Sequence, residues 1–322
     1  MAKGHFAKSE SQAASVMKEI QGKLTPEELA LGKTRDDKIE SKGTVRDYEQ
    51  ALKTCCDYMK EFKLGALRDI TPEQAKDYLN IRSTEVSQST LNMDRQAIQF
   101  MMQHVTGQLD KTQPLYDTKN RDPELREKLP VSEKETVEKS RGYTPWQVNE
   151  IINRQTELSA LSTRICYEAG LRAHELLTLR PIGEVPPSPR EAHDQKFTHM
   201  RHETVPYTVN GKGGLIREVH LPKHLAEQLE SRKFATPQLV MDRKVEYVSH
   251  YNIIGGHRFS DSFSKASSRA LDYSNGAHGL RHSYAQDRYE QLANYLVRDD
   301  VMRVISQELG HFRPDITEVY LR

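Results

Sequence analysis

The stretch His278-Gly279-Leu280-Arg281-His282-Ser283-Tyr284-Ala285 decides how the rest of this 322-residue chain is read. His278 and Arg281 stand three positions apart, so on a helix they share one face. Downstream come Leu309-Gly310-His311 and then Tyr320, nine residues past that histidine. Upstream, Arg172 lies in Ala169-Gly170-Leu171-Arg172-Ala173-His174-Glu175-Leu176-Leu177, and Lys212 in Asn210-Gly211-Lys212-Gly213-Gly214. Histidine, arginine, lysine and tyrosine can hold, protonate or attack a phosphate, and here they are set among apolar residues that anchor helices.

As chemistry the set is coherent. A phosphodiester is an anion, so an incoming oxygen needs the developing charge on the non-bridging oxygens to be held. Arg172 and Arg281 suit that task, because a planar guanidinium donates two parallel hydrogen bonds to a phosphate and keeps its charge. Tyrosine is a poor nucleophile at its free pKa of about 10, so Tyr320 needs a base and an oriented phosphate. His278 is the candidate to take the phenolic proton, His311 to donate to a phosphate oxygen, and Lys212 to protonate the leaving 5′ oxygen.

Read together, these residues resemble the active site of the tyrosine recombinases, the phage-integrase and Xer-like family. That family runs arginine, lysine, His-x-x-Arg, histidine or tryptophan, then tyrosine. The matching positions are Arg172, Lys212, His278 with Arg281, His311 and Tyr320. Glu175 matches the acidic residue three positions after the first arginine, an orienter that does not itself touch the phosphate. The resemblance implies cleavage through a 3′-phosphotyrosine link, with no cofactor and no metal. It also implies double-stranded DNA with specific recombination sites as partner, a homo-tetramer on that DNA, possible accessory DNA-bending proteins, and a mobile genetic element as source. A type IB topoisomerase, a telomere resolvase or a catalytically silent DNA-binding regulator would share some of these residues, and a metal-dependent nuclease is a further competitor.

Two departures from the family pattern stand out. The interval from Arg281 to His311 is longer than in compact members, so a longer helix or loop is expected there. The chain also ends two residues after Tyr320, where many relatives carry a helix that docks into a neighbouring protomer. Different subunit contacts or a longer natural chain are expected.

Bulk properties fit this reading. The chain is 36% hydrophobic and 29% charged with a net charge of +1, and its mean hydropathy is −0.76. A near-neutral total does not argue against DNA binding, since cations need only gather on one face. No apolar run approaches the roughly 18 residues that span a bilayer. The start, Met1-Ala2-Lys3-Gly4-His5-Phe6, lacks a signal-peptide core. Three cysteines, two of them adjacent (Cys55 and Cys56), make no disulfide framework, so a cytoplasmic location is expected, and the resemblance implies association with the nucleoid there.

The expected fold is mainly α: a helical N-terminal core-binding (SAM-like) domain, then an α+β catalytic domain with a small antiparallel sheet. Residues 1–40 read as a helical arm, with Val16, Met17 and Ile20 on one side of a short helix and a second start at Thr25-Pro26-Glu27-Glu28. Gly32 to Gly43 reads as structureless. Residues 41–110 read as a small all-helical domain that resembles the family's core-binding domain, with a generic helical bundle as the alternative. Val45, Tyr48, Leu52, Cys55, Met59 and Phe62 mark its first helix, capped by Thr44, and Thr71-Pro72-Glu73-Gln74 opens the next. A third begins near Ser87 to Thr90. Arg46, Lys53, Arg82 and Arg95 are its candidate DNA-backbone contacts, although exposed cations are more often merely solvated.

Residues 111–141, broken by Pro114, Pro123 and Pro130, read as an interdomain linker, and 142–322 as the catalytic domain. There Gly170 breaks a helix so that Arg172 projects from a helix start. Val205 to Val209 and Leu215 to Leu221 flank a hairpin turn with Lys212 at its tip. Taken alone, that turn would be an ordinary glycine-rich loop. His193, His199 and His202 lack matching cysteines or carboxylates, so no metal site is expected from them. His282 is expected to face away from the site.

Overall fold

Among the described residues, five helices begin at a serine or threonine whose hydroxyl accepts from an amide of the first turn. The computed structural model describes residues 7–23, 25, 35–135 and 139–322, without the side chains of Arg35 and Lys212. The chain divides into two units, Met1–Val137 and Glu138–Arg322. Among the described residues no helix is long and apolar enough to cross a membrane.

The first unit is helical. Its elements are α1 (Ser9–Ile20), α2 (Lys42–Glu61), α3 (Pro72–Glu85) and α4 (Gln88–Met101). Thr71 and Gln74 close a capping box at α3, and Ser87 caps α4. At α2 the cap is Ser41 rather than Thr44: the Thr44 amide donates to the Ser41 hydroxyl. Leu52, Cys55 and Met59 of α2 meet Tyr78 and Leu79 of α3 and Leu91, Ile98, Met101 and Met102 around α4 in one core.

Part of the stretch expected as a helical arm belongs to that core. Ala13, Val16, Met17 and Ile20 of α1 are buried in it, because an apolar stripe of about two turns loses more water there than outside. The segment expected to be structureless is also tied down where it is described. Ile39 bonds back to Ile20 and Gly22, and buried Asp37 meets His104 at 2.8 Å. Of the helix start read at Thr25-Pro26-Glu27-Glu28, all but Thr25 lies outside the described residues.

Much of the stretch expected as linker is likewise fastened to the first unit. Leu115 and Tyr116 are buried in its core, Lys76 pairs with Glu127, and the Ser132 hydroxyl donates to the Val86 carbonyl.

The second unit opens with α5 (Pro145–Ile152), boxed by Thr144 and Gln147, and α6 (Glu157–Ala169). A three-stranded antiparallel sheet follows in the order β1 (Arg180–Pro181), β2 (Thr204–Asn210), β3 (Ile216–Pro222). Tyr207 pairs with Val219 and Asn210 with Ile216, so residues 211–215 form the hairpin turn. After α7 (Lys223–Glu230) comes a second hairpin, β4 (Lys233–Asp242) and β5 (Val245–Tyr251), which the sequence pattern does not announce.

Four helices complete the unit: α8 (Gly256–Leu271), α9 (Gly279–Leu292), α10 (Arg298–Glu308) and α11 (Pro314–Thr317). The long interval from Arg281 to His311 is therefore filled by the rest of α9, a turn and α10. Its apolar residues form two clusters, one from Tyr143 to Leu280 and one from Tyr284 to Tyr320. The first two turns of α9 lie between them, and every residue from Gly279 to Ala285 is buried.

Candidate active site

Gly170 ends α6 in the left-handed region (φ 59°), a conformation that glycine adopts without steric cost. A Cβ there would come within 2.7 Å of the Tyr284 ring, so the chain must turn at this point without a side chain. Arg172 follows in the turn. What comes next is a single 3-10 turn, Glu175–Thr178, not the α-helix start expected from the sequence. Glu175 curls back on the turn and accepts from the Arg172 amide and from Arg172 Nη1, each at 2.8 Å.

His278 occupies the cap position of α9, and Arg281 is fully buried one turn later. Arg281 Nη1 donates to the Gly170 carbonyl and Nη2 to the Leu309 carbonyl, which joins the arginine to both neighbouring turns. After α10, Gly310 is again left-handed (φ 73°) and turns His311 inward. His311 Nε2 lies 3.1 Å from Arg172 Nη2 and 3.2 Å from Arg281 Nη2. Guanidinium nitrogens only donate, so Nε2 accepts and the imidazole proton sits on Nδ1.

Tyr320 is 7% exposed, in the one-turn 3-10 segment after α11. Its hydroxyl lies 3.2 Å from His278 Nε2 and 3.4 Å from His311 Nε2. The His311 lone pair already faces two arginines, so His278 is the better acceptor for the phenolic proton. The Arg281 guanidinium stands 5.8 Å from the Tyr320 ring centre. Thus Arg172, His278, Arg281, His311 and Tyr320 come together, with Glu175 behind Arg172. The side chain of Lys212 lies outside the described residues.

Charge explains how these groups titrate. Burial pushes the Glu175 carboxyl up, but Arg217, Arg281 and Arg172 outweigh it and hold it well below the usual carboxylate range. Burial, then Arg217 and Arg172, pull Arg281 down to about 9. Burial, followed by Arg281, takes His278 and His311 down to about 3. His282 falls to about 4 through burial, Arg141 and Arg281. The histidines are therefore neutral at pH 7 and able to accept a proton. Three guanidiniums stand here against one carboxylate: Arg172 and Arg217 bond Glu175, and Arg281 bonds only carbonyls and His311 among the described residues. A buried excess of positive charge is a cost that an incoming anion would relieve.

Two residues join the site that the sequence pattern did not place there. His282, expected to face away, has its ring centre 4.6 Å from that of Tyr320 and 5.5 Å from that of His278. A signal exists for it, since i and i+4 share a helix face as i and i+3 do. Arg217 is 4% exposed and bonds Glu175 Oε2 at 2.7 Å. It alternates with buried Val219 and Leu221 on β3, so strand period points it inward.

The remaining candidates have local partners. Arg46 meets Asp47, Lys53 meets Asp57 and Glu10, and Arg82 is held by buried Asp94 and by Glu85. Arg95 is half-buried, with no hydrogen-bond partner at its Nε. His199 stacks on Tyr295 at 3.8 Å, His202 meets the His224 ring edge-on, and His193 lies 3.6 Å from Asp300.

No protein-family description and no curated protein sequence matches the chain. Solved structures do match. The XerH site-specific recombinase bound to difH substrate, a pre-cleavage complex, is 15% identical with a TM-score of 0.51 over 98% of this chain and 91% of that one. Its post-cleavage complex with a palindromic difH substrate gives 15% and 0.50 over 86% and 76%. A lambda integrase dimer bound to a COC′ core site gives 13% and 0.50 over 97% and 76%. Mainly helical, with small antiparallel sheets in its second unit, the chain has the tyrosine-recombinase fold.

Proposed function

We propose that the chain is a site-specific DNA recombinase or integrase of the tyrosine type, from a mobile genetic element. One observation carries this: a phenol whose hydroxyl lies 3.2 Å and 3.4 Å from two neutral imidazoles, one of which faces two arginines at 3.1 Å and 3.2 Å. The fold shared with XerH and lambda integrase supports it.

In this reading the scissile phosphate enters between Arg172 and Arg281, whose N–H groups turn from His311 to the non-bridging oxygens. The anion offsets the guanidinium charge that holds the histidines down, so His278 becomes a stronger base as substrate binds. Tyr320 Oη attacks phosphorus while its proton passes to His278 Nε2. The bond to the 5′ oxygen breaks, and Lys212 supplies that oxygen's proton. His311, relieved of its two donors, carries its imidazole proton on Nε2 in place of Nδ1 and gives a hydrogen bond to a non-bridging oxygen.

A 3′-phosphotyrosine results, and attack by another strand's 5′ hydroxyl reverses the step. The phosphate bond is exchanged at each step, so no external energy source is needed. Double-stranded DNA carrying specific sites, a tetramer on that DNA, accessory DNA-bending proteins and a nucleoid-associated location belong to the same proposal. The test is Tyr320→Phe on nicked duplex DNA of random sequence. The covalent protein–DNA adduct should vanish on a denaturing gel while binding persists; an adduct in the variant would overturn the assignment.

A further inference from the structure

Arg217 is, with Arg281, a second buried guanidinium beside the site, and its hydrogen bonds among the described residues all go to protein oxygens. Nη2 donates to Glu175 Oε2 at 2.7 Å and to the Gly170 carbonyl at 3.3 Å, Nε to Glu175 Oε1 at 3.4 Å, and Nη1 to the Glu308 carbonyl at 2.7 Å. It therefore joins β3 to two separate turns. One carries Arg172, which Glu175 grips through amide and guanidinium. The other carries His311, and its Gly310 lies so close that a Cβ there would come within 2.8 Å of Arg217 Cδ.

Arg281 bonds the carbonyls of the same two turns, at Gly170 and Leu309. The division of labour follows from direction. Arg281 also faces His311 and the Tyr320 ring, whereas Arg217 is occupied by Glu175 and backbone. We infer that Arg217 is a positioning residue, which fixes the turn of Arg172 and the turn of His311 in one register without touching substrate. This rests on the function proposed above.

A planar fork is needed for the task, because one point charge cannot reach a carboxylate and two carbonyls together. Arg217→Lys keeps the charge beside Glu175, so it should melt close to wild type, yet it loses the fork. Arg217→Met removes both. The reaction read out is adduct formation on nicked random-sequence duplex DNA, as a rate at saturating DNA and as an affinity. Arg217→Lys should lower the saturated rate by roughly 10- to 100-fold, the scale set by small misplacements of reacting groups, with affinity within about twofold of wild type. Arg217→Met should lower it further.

In parallel, NMR titration of His311 in the free protein should show its midpoint rising in Arg217→Met. Arg217 is one of the charges that hold it down, beside Arg281, Arg172 and His278. A wild-type saturated rate in Arg217→Lys, or a loss of rate matched by an equal loss of affinity, overturns the inference. Absence of any adduct with the wild-type chain sinks the proposed function instead. The His311 midpoint then decides for Arg217 alone: a rise supports it and an unmoved value overturns it.

Discussion

The two units treat positive charge in opposite ways. In the first, Arg46 and Lys53 lie towards solvent against carboxylates, and even the more buried Arg82 has Asp94 and Glu85 to itself. In the second, Arg281 (0% exposed) and Arg217 (4%) are buried; Arg217 and Arg172 pair with Glu175, whose charge Arg281 feels without bonding it. Solvated pairs contribute little and are tolerated almost anywhere. A buried surplus of like charge works against folding and makes sense where an anion is to be held. The location of that surplus therefore says more about function than the whole-chain charge of +1 does.

The contrast can be broken most severely at Arg281. Arg281→Ala should lower the rate of adduct formation by roughly 10²- to 10³-fold or more, the range seen when a preorganised donor is removed. A rate within tenfold of wild type would mean that the buried surplus serves structure only. Glu175→Gln comes next. It removes the carboxylate that Arg172 and Arg217 share, and should cost on the order of 3 kcal/mol in denaturant unfolding. The Glu175 carboxyl is depressed in the folded chain, so its stabilisation is complete above the usual carboxylate range and fades as pH falls below it. Glu175→Gln should lose that part of the acid dependence; an unaltered acid limb would contradict the assignment.

In the first unit Arg82→Ala should cost less, about 1–3 kcal/mol, because it leaves the 3%-exposed Asp94 without its main partner. The histidines give a subtler signature. His278, His282 and His311 have folded values near 3, 4 and 3 against an ordinary 6.5. The unfolded chain therefore takes up their protons first, and stability should fall as pH drops from about 6.5 towards 4. His282→Asn should flatten that slope, whereas stability constant from pH 7 to 5 would contradict the burial argument. The smallest effects belong to Arg46→Ala and Lys53→Ala. Melting should not move, and if each touches one DNA phosphate the salt slope of binding should shrink by about one. An unchanged slope assigns them to solvent.

Much of this is legible in the amino-acid sequence. Capping boxes at Thr71 and Gln74 and at Thr144 and Gln147 are local chemistry, and both are present. The hairpin around residues 210–214 follows from alternation and glycine. Five scattered polar residues lie together, a grouping that the chain's periodicity does not convey and that only the resemblance to a family's active site led one to expect. What stays hidden depends on distant partners. The stripe of α1 is too short to announce a core, and the groups it meets come dozens of residues later. In β4 and β5 the core side is weakly marked: Leu239, Met241 and Val248 are exposed, and pairing slips between Lys233 and Gln238. Arg217 looks like a break in an apolar alternation until Glu175 is placed beside it.

The central claim concerns one oxygen. The protein should be trapped on nicked random-sequence duplex DNA, digested, and the residue bearing the nucleotide identified by mass spectrometry. The account requires the phosphodiester remnant on Tyr320 and on no other side chain. A remnant on a different residue, or no covalent species under conditions where the protein binds the DNA, would contradict it.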